Sequence, residues 1–178
     1  MTTAVGVRDR RAARGRALSR PARATLRGGH VVLGVAWTGM ALVMLVLPAA
    51  LLLGGAGAQT VFVLGVMDVV GGTMIPFVAV GTVLTGVALG LGTPWGLVRH
   101  RWVVAKTVLS LLVIVTSVAL STRLLAAAQD AGGQDPALLW WLAGVAASHQ
   151  LMLVTATLLS VQKPGGRIRS LTGNQKVA

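Results

Sequence analysis

Three histidines, six methionines and four aspartates carry most of the chemistry available to this 178-residue chain. Cys, Glu and Tyr are absent. His149 stands inside an apolar run, twelve residues before its end near 161. At about 1.5 Å per helical residue that is roughly 18 Å in, near the middle of a membrane-spanning helix. A neutral imidazole there has two readings. It bonds a hydroxyl on a neighbouring helix, with Ser110, Ser117, Thr82 and Thr38 at comparable depths. Alternatively it is a ligand, joined by Met40 and Met44, one turn apart on the first apolar run, and by Met152, one turn from His149. Imidazole with thioethers is a soft donor set suited to Cu(I). Methionine is also ordinary core material, so packing remains open for all three.

Haem b is the other cofactor alternative. Two axial histidines must face one iron at one depth, which leaves His30 and His100 at the same end of the chain's spans and excludes His149. Asp68 is the one acid inside an apolar run. It reads as a hydrated carboxylate at the interface, as a partner for Arg123, or as a cation entry point. Lys106, Ser110, Ser117 and Ser121 return to one helical face and are expected to look into a bundle. The absence of cysteine removes disulfides, zinc–thiolate sites and thiol catalysis. Phosphate-loop, Ser-His-Asp and metalloprotease patterns are also missing, and no enzymatic activity is expected.

The elements that position these groups are apolar. The chain is 54% hydrophobic and 11% charged, against about 25% charged in soluble domains. Lipid is therefore the expected solvent for much of it. The run from His30 to Leu53 is long enough to cross a bilayer and too long for the core of a signal peptide, so it is expected to stay uncleaved. Pro48 and Gly54 fall near its end, and Gly34 with Gly39 reads as a packing feature. Residues 61–92 are too long for one crossing. A break is expected at Gly71-Gly72, giving a short interfacial helix over 61–70 and a span over 73–92, in which Gly86 and Gly90 form a small-xxx-small pair. Further spans are expected over 102–122 and 137–161, separated by a polar loop from Arg123 to Pro136.

The expectation is an all-α integral membrane four-helix bundle, with a basic disordered tail over 1–29, a transmembrane domain over 30–161 and a second basic tail over 162–178. Fourteen of the 16 Lys and Arg lie in the two tails and the 99–101 loop. That asymmetry places both termini in the cytoplasm, in the inner membrane. Trp95 and Trp102 mark one interface; Trp140 and Trp141 mark the other. The net charge of +12 is explained by this anchoring, so the bilayer, a second copy or a membrane protein is the expected partner rather than nucleic acid.

His30-x6-Trp37-x-Gly39, Thr85-Gly86, and Trp102 with Lys106 resemble motifs of copper-resistance D-like membrane proteins. The resemblance covers about 30–122 and extends to four-helix integral membrane proteins of actinobacteria. It implies a core unit of that helical fold and a copper-linked function. The residues read alone support a structural or accessory membrane protein, with copper or haem binding as the alternative.

Overall fold

The computed structural model describes residues 18–55, 57–92, 97, 98 and 100–164. They form four long helices: α1 (Arg20–Gly54), α2 (Thr60–Gly92), α3 (Arg101–Asp130) and α4 (Pro136–Gln162). There is no strand among the described residues. All four helices are long and apolar enough to cross a membrane.

The expected disordered segment over 1–29 is corrected from Arg20 onward, because α1 begins there and not at His30. Ser19 caps it, accepting from the Ala22 amide at 3.3 Å, and Pro21 occupies the first turn, where its missing N–H costs nothing. Leu18 packs where a Cβ on Gly92 would collide with it. Once capped, the short Arg- and Ala-rich stretch extends an existing helix and needs no nucleation of its own. Residues 1–17 and 165–178, with Trp95 and Arg99, lie outside the described residues.

The expected break at Gly71-Gly72 is a π-helical turn over Val70–Met74, and the helix runs through it. The separate helix over 61–70 and the span over 73–92 are thus one helix. Pro76 offers no N–H to the carbonyl one turn earlier, and the widened turn absorbs that mismatch. A second π turn, Ser117–Ser121, interrupts α3. Past it the helix continues to Asp130, where a loop was expected from Arg123, because Leu125 and Ala128 are buried against the core. At the start of α4, Asp135 accepts from the Ala137 amide at 2.8 Å and Pro136 follows.

α4 packs on α1 and on α3, and α1 packs on α2; α2 and α3 meet mainly where Thr60–Val69 faces Thr122–Asp130. The order across the bundle is therefore α2, α1, α4, α3, with a gap between the outer pair. Two packed clusters bracket that gap. One joins Leu51, Leu64, Met67, Leu125, Leu139 and Leu142. The other joins Trp37, Ala41, Ala79, Val113 and Leu153. In its most apolar stretch α2 has only 6% of its residues buried, against 28% in α4. Large apolar side chains such as Phe62 and Phe77 therefore face outward.

Gly132 and Gly133 turn the chain into α4 with φ of 59° and 70°. A Cβ at Gly133 would run into Thr60, whereas one at Gly132 meets open space. Gly132→Ala should cost about 1–2 kcal/mol from the left-handed backbone alone, and Gly133→Ala more, because Thr60 must also move. Thermal unfolding in detergent checks the order; equal melting temperatures for the two variants would contradict it.

Candidate binding cavity

Two imidazoles tie the helices together in pairs. On α1, His30 Nδ1–H donates to the Thr82 carbonyl and to Thr85 Oγ1, both at 3.0 Å. The Thr85 hydroxyl spends its own proton on the Gly81 carbonyl at 2.7 Å. Both neighbours therefore accept, which assigns the proton of neutral His30 to Nδ1. The ring fits because Gly86 has no Cβ; an added one would sit 3.1 Å from Cε1. On α4, His149 Nε2–H donates to Thr116 Oγ1 of α3 at 2.7 Å, while the Thr116 hydroxyl donates to the Leu112 carbonyl at 2.6 Å. That leaves Nδ1 of His149 as the unprotonated ring nitrogen, and the residue borders an interior space.

That space is a cavity of about 390 Å³ between α2 and α3, with α1 and α4 as its back wall. Both π turns border it, through Gly71 and Gly72 on one side and Ser117 and Ser121 on the other. The turns explain the space. Each adds one residue to a helical turn and shifts the side chains around the axis, and at Gly71 and Gly72 α2 adds no side chain of its own. Trp37, Met44, Met67, Asp68 and His149 complete its chemically distinctive lining. No Lys or Arg contributes to it.

The sequence-derived candidates separate into three groups. His149, Met44, Asp68 and Ser117 share the cavity; Met40, Met152, Ser110, Lys106, His30 and His100 do not line it. Met152 packs against the core around Trp37 and Leu153. His30 meets Thr85 and Gly86, and Lys106 Nζ stands 5.1 Å from the centroid of the Trp102 ring. His100 is buried at the start of α3, its ring centroid 6.3 Å from that of Trp102.

The expected ion pair between Asp68 and Arg123 is not among the interactions of the described residues, and both side chains are exposed. The glycines of the expected small-xxx-small pair receive side chains, His30 at Gly86 and Leu97 at Gly90, while Gly34 and Gly39 face open space and pack nothing.

Sequence reasoning missed Thr116 and Met67. Thr116 stands one residue before Ser117, and the π turn that begins there lets Thr116 meet His149 while Ser117 borders the cavity. Met67 directly precedes Asp68, which was its one available signal.

Among the described residues no three His, Cys, Asp or Glu side chains converge as metal ligands. The soft donors on the cavity wall are His149, Met44 and Met67. By chemical type these are donors a copper(I) ion would take, and the Thr116 bond would leave His149 only Nδ1 to offer it. The pair offered for haem fits less well, since His30 is packed into α2 and neither it nor His100 borders the cavity. No protein-family model matches the chain, and no match was found among curated proteins or solved structures.

The His149–Thr116 bond should show a coupling of about 0.5–2 kcal/mol between Thr116→Val and His149→Leu in a double-mutant cycle. Reversible unfolding in mixed micelles measures it. Additive effects would remove this bond from the forces joining α3 to α4.

Proposed function

We propose that the chain is a multi-pass protein of the inner membrane, with both ends in the cytoplasm, that binds a small and mainly apolar molecule and performs no catalysis. Its role is accessory: it holds or presents that molecule within the bilayer. One observation carries the reading. The cavity between α2 and α3 is flanked by the two least regular parts of the helices, and its size lies within the usual range for small-molecule sites, about 300–1,000 Å³. Most of its lining is aliphatic, with a few convergent polar groups, which is the usual composition of such a site. Helices α2 and α3 barely touch along it, so entry from the lipid side needs little rearrangement.

The membrane placement rests on charge and aromatic position. Arg20, Arg23, Arg27, Arg101, Lys106 and Lys163 lie at one end of the bundle; Trp140 and Trp141 are exposed at the other. The 27 residues of α4 span roughly 40 Å, about 10 Å more than a hydrocarbon core. Asp68 then lies roughly two turns in from one end and Lys106 roughly one and a half turns in from the other. The lysine stem can carry its ammonium back toward the basic side. Of the expected interfacial helix, the segment Thr60–Val69 remains as the outer end of α2, with Asp68 on its cavity side.

A second reading takes copper(I) as the occupant, held by His149 with Met44 and Met67, because these three soft side chains border one space.

Trp37 borders the cavity and can report occupancy. A variant with Trp37 as its only tryptophan, the other four changed to Phe, is placed in phosphatidylcholine nanodiscs. Bromobenzene should quench it with a saturable component that Ala146→Phe removes by filling the cavity. Purely linear quenching, equal in both proteins, would overturn the binding reading. Stoichiometric copper in the purified protein, lost in His149→Ala, would replace it with the second reading. For topology, a fluorescent protein fused after Gln162 should fluoresce and alkaline phosphatase at the same point should be inactive; the reverse pattern would invert the orientation.

A further inference from the structure

The cavity wall has an electrostatic asymmetry that its size does not require. Asp68 is the one acidic residue in its lining, and no Lys or Arg borders it. Among the described residues no cation sits within ion-pair distance of that carboxylate, and Arg123, the basic residue at the same end, is exposed elsewhere. An exposed carboxylate at the rim of an apolar space, with no cation of its own, attracts one brought to it.

The surroundings of Asp68 favour an organic cation over a bare ion. Gly72 lies directly beside it, with Asp68 Oδ1 3.8 Å from the place a Cβ would take, and Gly71 leaves Met44 as its nearest neighbour. At 71 and 72 the α2 wall carries no side chain of its own, and Met44 of α1 lies against it at Gly71. Around it lie Met44 and Met67, polarisable thioethers, and Trp37, an aromatic face suited to a diffuse positive charge. Ser117 and Ser121 border the opposite side, and neither hydroxyl is engaged with another side chain among the described residues. Hard cations favour several charged oxygens converging on one point; here Asp68 is the one carboxylate, and Ser117, Ser121, Thr122 and Gln129 offer only neutral oxygens.

We infer that the cavity selects amphipathic organic monocations, with the cationic group at Asp68 and the apolar body between α2 and α3 toward Trp37. This rests on the reading of the cavity as a ligand site and adds the charge of the ligand to it. The chain's overall charge opposes this preference, since a net charge of +12 attracts anions. A preference for the cation must then arise locally.

The test uses two probes of the same shape and opposite sign, tetraphenylphosphonium and tetraphenylborate, with the full chain in phosphatidylcholine nanodiscs. Equilibrium binding should be saturable for the phosphonium and at least tenfold weaker for the borate. Asp68→Asn should weaken phosphonium binding about tenfold or more, Asp68→Glu should retain it, and Asp130→Asn, at the same end but off the cavity, should leave it unchanged. Ala146→Phe should abolish it. Loss of binding in Ala146→Phe with unchanged affinity in Asp68→Asn would overturn the cation preference and leave the cavity reading standing. Binding that survives both variants would place the probe outside the cavity and overturn the inference. Equal binding of both ions with full loss in Ala146→Phe would show a cavity indifferent to charge. Melting temperatures of the variants distinguish lost binding from lost structure, with Asp68→Glu as the folded reference.

Discussion

A polar side chain inside this bundle gains most from a partner within the bundle, because the surfaces around it are apolar. Most hydroxyls find one locally. Thr38, Thr82, Thr85, Thr107, Thr116, Thr155 and Thr157 each return the proton to a carbonyl four residues back. A threonine satisfied in this way still has acceptor capacity, and that capacity is what the two imidazoles use. His30 joins α1 to α2 through Thr85, and His149 joins α4 to α3 through Thr116. The partner's proton is already committed, so each histidine must donate through one nitrogen and keep the other as an acceptor. The same bond that fastens two helices therefore decides which ring atom is left for chemistry.

The two pairs leave α2 and α3 unlinked along the middle of the bundle. α2 is held to α1 by His30 and by Leu33, which packs against Gly81. α3 is held to α4. Gln129, whose Nε2 donates to the Leu64 carbonyl at 3.5 Å, the loop glycine beside Thr60, and the packing of Leu64 and Met67 on Leu125 and Ala128 bring the outer pair together, mainly at one end. The cavity is what remains between two helix pairs clamped at their clusters. The π turns fall at that level on both sides. A regular helix would carry its inward face straight past the gap, whereas a widened turn slips the face by one residue and lets Thr116 bond outward to α4 while Ser117 borders the space.

Much of this was legible in the chain. The apolar runs locate all four helices, and the depth of His149 anticipates a hydroxyl on a neighbouring helix as its partner, without choosing among α1, α2 and α3. Its identity as Thr116 was not legible, because a 3.6-residue period places Ser117 inward and Thr116 beside it, and only the π turn reconciles them. The glycine pair at 71 and 72 reads as a break because glycine weakens a helix. Tertiary packing overrode that weakness, with Leu64 and Met67 buried on one side of it. The extension of α1 to Arg20 was hidden for a similar reason. Its residues offer little to bury, but a serine cap and an adjoining long helix make ordering inexpensive. Asp68 could be recognised as unusual from sequence, yet its place on a cavity wall depends on which way a continuous α2 turns it.

Charge along the bundle is segregated more completely than orientation alone demands. Among the described residues, Asp68, Asp130 and Asp135 all lie at the end where α1 finishes and α4 begins. The cations apart from Arg123 lie at the opposite end. A positively charged solute in the gap between α2 and α3 is thus drawn toward Asp68 and repelled from Lys106, so the field acts along the length of the cavity as well as at its rim. An apolar body has no such preference and is positioned by shape. The orientation of an amphipathic cation in the cavity and the orientation of the chain in the bilayer would then follow from one distribution of charge. On this view Asp68 is placed where the acidic end of the molecule meets its internal space, and a carboxylate anywhere else on α2 would serve only one of those two ends.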